Sequence, residues 1–253
     1  MSVELSDQEL SRYSRQLLLP QFDVAGQLAL KSARAIVVGL GGLGSPAALY
    51  LAAAGVGELV LVDGDNVDDS NLQRQIAHSQ NSVGINKAQS AKTQILAINP
   101  HINVIVESRF LNEENAPSLV ESADVVLDCS DNFTTRILLN QLCVNYQKPL
   151  VSGAAIRFEG QISVFNASEA SPCYQCLYGL LGEQNLSCSE AGVISPLVGV
   201  VGAYQALEAI KVLTGVGEFL SGRVQFFDGL KGQWREFKPV SYTHLTLPTK
   251  PSV

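Results

Sequence analysis

The stretch RAIVVGLGGLG, from Arg34 to Gly44, decides the fold. Residues 34–39 form a short, unbroken apolar run, which reads as a strand buried on both faces. Gly39, Gly41, Gly42 and Gly44 then satisfy the spacing G-x-G-x-x-G. A small-residue segment over 43–54 follows and stops at Gly55, which reads as a helix closed by glycine. Strand, glycine turn and helix in that order let backbone N–H groups approach a phosphate at a helix N-terminus, whose dipole favours negative charge. The next strand, ELVLVD over 58–63, ends in Asp63, 19 residues beyond Gly44. A carboxylate at that position can accept hydrogen bonds from ribose hydroxyls. The unit is a nucleotide site.

Outward from this unit, the same alternation continues. A helix is expected over 85–98, closed by Asn99-Pro100, and strands over 102–107, 125–128 and 150–152. Helices over 113–121 and 133–146 separate them, so the fold class is α/β, a Rossmann-like and mainly parallel sheet. After residue 153 the pattern changes. Strands over 161–165, 223–227 and 234–237 have hairpin-like spacing and predict an antiparallel C-terminal extension. Between them, residues 196–213 form a long helix with Gly199 and Gly202, apolar on most faces and therefore expected to be buried in the core or between subunits. Upstream, Ser6-Asp7-Gln8-Glu9 fits a capping box opening a short helix that carries Arg12 and Arg15. One domain is expected over 1–240, with the nucleotide-binding part over about 30–153 and the extension and a crossover loop over about 154–240. The last thirteen residues, SYTHLTLPTKPSV (241–253), break the pattern and read as a disordered tail or as translated adapter sequence rather than native protein.

Composition narrows the partners. A formal net charge of −7 provides no footprint for nucleic acid or an anionic membrane, so an anionic ligand must meet a local cationic site. No apolar run is read as reaching the roughly 18 residues that span a bilayer, and the start is no signal peptide; a cytoplasmic location is expected. Cys129 and Cys143 sit in apolar surroundings and read as core. His78, His101 and His244 show no ligand spacing.

Beyond Asp63, the residues ask for more than a dinucleotide. Ser70-Asn71-Leu72-Gln73-Arg74-Gln75 and then Lys87 place two cations in segments that lie near the carboxyl edge of such a sheet. A redox dinucleotide has its pyrophosphate covered by amides, whereas a triphosphate attacked at its α-phosphorus needs positive charge on the leaving pyrophosphate. The strand over 125–128 runs into Asp128-Cys129-Ser130-Asp131-Asn132. An acid leaving the end of a parallel strand can hold Mg²⁺ against phosphates; Asp131 lies further out than Asp128 and is the better candidate, with Arg136 one turn on to orient it. In a cytosolic chain Cys173-x-x-Cys176 reads as metal or redox chemistry before it reads as a disulfide.

RYSRQ, GLGGLG, the Asp63 strand end, SNLQRQ, Lys87, DCSDN, CYQCL and C-x-E-A-G-V occur in order over about residues 5–239. Together they resemble the adenylyltransferases of molybdopterin and thiamine biosynthesis, bacterial relatives of the ubiquitin-activating enzymes. The resemblance implies a homodimer using ATP and Mg²⁺, and a ubiquitin-like sulfur-carrier protein ending in Gly-Gly as the substrate. It implies that Gly42 and its neighbours hold the phosphates, Asp63 the ribose, and Asp131 the magnesium, with Asn71 and Asn132 beside them. Arg74 and Lys87 would clamp the polyphosphate, and Arg15 would reach the ATP of the partner subunit. The carrier carboxylate would become an acyl-adenylate, which a sulfur donor then attacks. Cys188 matches a loop cysteine that, in some members, bonds to the carrier or its sulfur. Cys173 and Cys176 match half of a four-cysteine structural zinc site, but the second pair is missing from this sequence, which puts Zn²⁺ binding in doubt. RYSRQ and FFDGLKGQWR lean toward the thiamine branch, VSGAAIRFEGQ toward the molybdopterin branch. Two other readings compete. An NAD-dependent oxidoreductase would leave SNLQRQ, Lys87 and Asp131 without a task; a non-catalytic module binding a ubiquitin-like protein would not need Arg15, Arg74, Lys87 and Asp131 together.

Overall fold

The computed structural model of the protein describes residues 4–167, 171–176 and 191–238. Its strands are β1 (Arg34–Val38), β2 (Glu58–Val62), β3 (Asn103–Glu107), β4 (Val125–Asp128), β5 (Leu150–Ile156), β6 (Glu159–Phe165), β7 (Val224–Asp228) and β8 (Gln233–Phe237). They form one sheet in the order β3-β2-β1-β4-β5-β6-β7-β8. Pairing is parallel from β3 through β5 and antiparallel from β5 through β8, as expected. The change of hand needs no long connection: Ile156 pairs with Glu159 across a two-residue turn in which Arg157 has φ 53°. β5 thus runs four residues past its expected end, because its second half belongs to the hairpin.

β1 and β2 each bury four of their five residues, which is why their sequences are apolar without alternation. The crossover helices are α4 (Gly44–Ala54), α5 (Lys87–Ile98), α6 (Ala116–Glu121) and α7 (Phe133–Asn145); before them come α1 (Asp7–Arg12), α2 (Ser14–Leu17) and α3 (Asp23–Ser32). The Ser6 capping box on α1 forms as expected, and Gly55 closes α4 in the left-handed conformation with φ 91°. Tyr13 separates α1 from α2, and Arg15 falls on the second of these. α3 was not foreseen from the sequence. It buries Gln27, whose amide donates to the Ala54 carbonyl at 3.0 Å, so α3 serves as a bracket for the end of α4.

The helix expected over 196–213 is α8 (Ser195–Thr214). By length and composition alone it could cross a bilayer, contrary to the expectation that no run is long enough. One face of it packs against the sheet and α4, where Val201, Ala206 and Ala209 are buried, as are the polar Gln205 and Glu208, while Val200 and Leu207 are exposed. Gln205 donates to the carbonyls of Asp128 (2.8 Å) and Val151 (3.3 Å), tying α8 to the ends of β4 and β5. The two glycines foreseen in this helix differ. A Cβ on Gly202 would lie 2.2 Å from the Leu43 carbonyl oxygen, so α8 meets the start of α4 backbone to backbone, whereas a Cβ on Gly199 would meet nothing.

Candidate active site

β1 lies between β2 and β4, so chain connections diverge on its two sides and leave a crevice at its carboxyl end. The glycine loop fills that point. Gly39 donates to the Val62 carbonyl (2.9 Å), and Cys129 donates to the Val38 carbonyl (2.9 Å), which fixes the loop between the neighbouring strands. Each glycine has its own reason. Gly39 has φ 89°, and a Cβ there would meet the Cys129 carbonyl oxygen at 2.8 Å. A Cβ on Gly44 would sit 1.8 Å from the Gly39 oxygen, so the turn closes on itself. Gly42 faces Val198 of α8. At Gly41 the nearest atom would be the Gln75 amide nitrogen at 3.6 Å, which leaves the loop open on that side. The first turn of α4 has no side-chain cap. These features suit a phosphate held by backbone amides.

Asp63 faces the loop. One carboxylate oxygen accepts from the Leu40 N–H (2.7 Å), the other from the Asp65 N–H (2.9 Å), and each keeps a lone pair for a ribose hydroxyl. Burial raises its pKa above the ordinary carboxylate value, opposed by those two hydrogen bonds and by the nearby Lys87 ammonium. Lys87 opens α5, where a cation opposes the helix dipole. It is buried and held there by Asp65, at 2.9 Å, while the Asn86 amide bridges the carbonyls of Asp63 (2.9 Å) and Asp65 (3.1 Å). The end of β2 and the start of α5 are thereby one unit.

The segment 70–75 runs over the loop. Gln75 reaches Gly41, and Gln73 accepts from the Ser195 hydroxyl at 2.5 Å. Arg74 is half-buried and donates to the Ser70 carbonyl (3.2 Å). Asn71 accepts from the Asp68 N–H (3.3 Å), closing its own turn. Beyond β4, Asp128 is sealed: its oxygens take the Ser130 N–H (3.1 Å), the hydroxyls of Ser130 (2.7 Å) and Ser152 (3.2 Å), and Arg136 at 3.7 Å. Arg136, expected to orient Asp131, donates to the carbonyls of Ser130 (2.7 Å) and Gly153 (2.9 Å) and pins the ends of β4 and β5. Asp131 is exposed just past this knot, and Asn132 caps α7 through the Thr135 N–H (2.8 Å). A single carboxylate suits Mg²⁺, which takes few protein ligands and completes its shell with phosphates and water.

Arg15 is exposed on α2 and makes no hydrogen bond or ion pair among the described residues. Cys188 lies outside them. Cys173 and Cys176 stand side by side, with their sulfurs 3.4 Å apart. Burial raises the Cys173 thiol, but hydrogen bonds from Cys176, Gln175 and Asn140 outweigh it and leave the thiol below its ordinary value. Two sulfurs do not make a tetrahedral site: among the described residues no group of three possible ligands gathers, and the segment after 238 contains no cysteine. Among the described residues, the Cys173–Cys176 pair alone does not complete a zinc site. Cys129 and Cys143 are core residues as expected, their thiols pushed well up by burial.

Sequence reasoning passed over His78 and Gln205, both of which act on the site through contacts distant in the chain. His78 bonds to the Leu40 carbonyl and Gln205 to the Asp128 carbonyl. Neither belongs to a local pattern.

A doubly wound sheet with an open glycine loop at its switch point, a ribose-ready carboxylate and a buried ammonium beside it defines a protein that binds a nucleoside polyphosphate. The chain belongs to the ThiF family, which it matches over residues 13–246. It is 51% identical over 236 residues to the molybdopterin-synthase adenylyltransferase of Escherichia coli, covering 93% of this chain and 95% of that protein. It is 48% identical over 238 residues to the adenylyltransferase and sulfurtransferase MOCS3 of Drosophila yakuba, spanning about half of it (52%). Among solved structures, E. coli MccB with ATP aligns with a TM-score of 0.79 over 92% of this chain and 72% of that one, and PaaA with a TM-score of 0.81 over 94% and 76%. Both are 24% identical to this chain and attest to the fold.

Proposed function

We propose that this protein is an ATP-dependent adenylyltransferase that activates the C-terminal carboxylate of a small ubiquitin-like sulfur-carrier protein. The observation that carries the reading is Lys87, a buried ammonium held by Asp65 and close enough to lower the pKa of Asp63, the carboxylate that binds the glycine loop. A dinucleotide would give it no task, whereas a departing pyrophosphate would. The adenylyltransferases to which the chain is similar over nearly its whole length support the same reading, and those relatives favour the molybdopterin branch over the thiamine branch.

A carboxylate oxygen of the carrier attacks the α-phosphorus of ATP, the bond to the bridging oxygen of the β-phosphate breaks, and pyrophosphate leaves with an acyl-adenylate remaining. No side-chain nucleophile is required. The chain's contribution is positioning and fixed positive charge: amides of the glycine loop on the phosphates, Asp63 on the ribose, and Lys87 and Arg74 toward the polyphosphate. Asp131 would hold a magnesium ion, which neutralises phosphate charge when bound. The protein works as a cytoplasmic homodimer in which Arg15 completes the partner's site, and sulfide-level sulfur from a separate donor attacks the acyl carbon and displaces AMP to give the thiocarboxylate, with Cys188 a candidate for that exchange. The test is ATP–pyrophosphate exchange with the purified chain. Exchange that requires a carrier ending in Gly-Gly is expected. Exchange without carrier dependence, or hydride transfer with NAD in its place, overturns the reading.

A further inference from the structure

His78 lies in no motif, yet its ring is buried and both nitrogens are engaged. Nε2 is 3.0 Å from the carbonyl oxygen of Leu40, in the glycine loop, and Nδ1 is 3.0 Å from the hydroxyl of Ser90, itself buried on α5. A carbonyl can only accept, so Nε2 carries the proton and Nδ1 accepts from the Ser90 O–H. Burial disfavours the charged ring, as does the neighbouring Lys87, which fits this neutral tautomer.

Leu40 is the residue between Gly39 and Gly41, and the protein holds its peptide groups on both sides. Its N–H goes to Asp63 at 2.7 Å; its carbonyl takes His78 and, at 3.2 Å, the Ser45 hydroxyl. Ser90 stands three residues after Lys87 on α5, and Lys87 returns through Asp65 to the N–H that binds Asp63. A closed circuit results: Leu40, His78, Ser90, Lys87, Asp65, Asp63 and back to Leu40. The loop that would hold phosphate oxygens, the carboxylate that would hold the ribose and the ammonium that would meet the pyrophosphate are fixed to one another by it.

We propose that His78 is a positioning residue for the nucleotide, which through its Nε2–H holds the Leu40 peptide, and hence the Gly41 edge of the loop, in register with Lys87. The ring touches neither substrate nor reacting atoms. This rests on the site binding ATP, but not on the carrier or the reaction. Removing the ring's polar atoms leaves the Leu40 carbonyl with the Ser45 hydroxyl alone and takes the acceptor from the buried Ser90 hydroxyl, a loss that corresponds to roughly a 5- to 100-fold change in an equilibrium.

The experiment measures ATP affinity by calorimetry, exchange activity and thermal unfolding for wild type, His78→Phe, His78→Asn, His78→Gln and Ser90→Ala. Phe keeps the ring without its bonds; Asn retains a polar group only at the Nδ1 position, while the Gln amide can donate from the Nε2 position. The expected result is ATP affinity weakened roughly 5- to 100-fold in His78→Phe and His78→Asn, recovered in His78→Gln to within about threefold, and weakened less in Ser90→Ala. Exchange follows through the KM for ATP, with the KM for the carrier unchanged. Should His78→Phe fail to fold, Ser90→Ala and His78→Gln decide by the same ordering. A folded His78→Phe that binds ATP within twofold of wild type overturns the proposal. So does a His78→Gln no better than His78→Phe, or an equal rise in both KM values. A wild type that binds ATP without exchange activity refutes the adenylyltransferase reading and leaves the affinity series to test His78.

Discussion

Replacing Lys87 by methionine separates catalysis from stability. Among the described residues its ammonium makes one ion pair, with Asp65 at 2.9 Å, and the Asp65 side chain is 55% exposed. An ion pair with one partner largely in water is worth about 0–1 kcal/mol. Against this, a cation on the first turn of α5 opposes the helix dipole by about 0.3–1 kcal/mol, and its removal returns that amount. Methionine matches the length of the lysine stem and fills the buried path at little further change. The two terms nearly cancel, so the unfolding midpoint should move by no more than about 4 °C, the shift that ~1 kcal/mol gives in a domain of this size. Activity should behave differently. Fixed charge on a developing phosphate anion supplies about 10²–10³ in rate when one donor is removed. Asp63 also loses the cation that lowers its pKa, which moves further up. The paired measurement is carrier-dependent ATP–pyrophosphate exchange beside a thermal melt. A variant that melts far below wild type with activity lost only in proportion would show that Lys87 is structural, and a variant with exchange within threefold of wild type would remove it from the site.

Other consequences follow from the same geometry. Gly44→Ala places a Cβ 1.8 Å from the Gly39 oxygen, so the loop must open; ATP binding should be lost and the melt should fall by more than that of Lys87→Met, as calorimetry and thermal unfolding can check. Arg15→Ala, at a residue without partners among the described residues, should on the proposed dimeric arrangement leave ATP binding at wild-type strength but adenylate poorly, and full activity in that variant would remove the trans role. Desolvation of the half-buried Asp63 raises its pKa above the ordinary value, so the folded state takes up its proton more readily than the unfolded state does. The destabilisation from burying its charge is therefore present at neutral pH and relieved as pH falls from the raised value toward the unfolded one. Over that window a protonated Asp63 has fewer lone pairs for ribose, so ATP affinity should weaken while this residue's stability term improves, and Asp63→Asn should lose both trends in calorimetry and denaturant titrations.

How much of this could be read in the chain depended on how local each signal is. The strand, turn and helix of residues 34–54 carry their own periodicity and glycine spacing, and the structure places them within a residue or so of expectation. The hairpin half was legible for the same reason, although β5 proved longer because pairing with β6 extends it. α3 was missed: its sequence, DVAGQLALKS, has no flanking cap signal, and its fixed points are Gln27 reaching Ala54 and the packing of α2 and α8 against it. At the site, Asp63 and Lys87 lie where the spacing of the parallel strands puts them. The partner of Arg136 did not follow from a one-turn offset, since the guanidinium turns toward Asp128 and the β5 end rather than lying along α7. His78 was invisible because both of its partners are remote in sequence, 38 residues before it and 12 after. The long apolar helix was legible as a packing element, although one face leaves Val200 and Leu207 exposed, and only the fold shows that a Cβ would clash at Gly202 and meet nothing at Gly199.

The central claim is that the site transfers the AMP moiety of ATP to a carboxylate. The most direct measurement is intact-protein mass spectrometry of a ubiquitin-like carrier ending in Gly-Gly after incubation with the protein, ATP and Mg²⁺, with no sulfur donor present. A carrier bearing one adenylyl group, absent when its terminal glycine is removed, is the predicted result. An unmodified carrier in a mixture where the protein demonstrably binds ATP would contradict it.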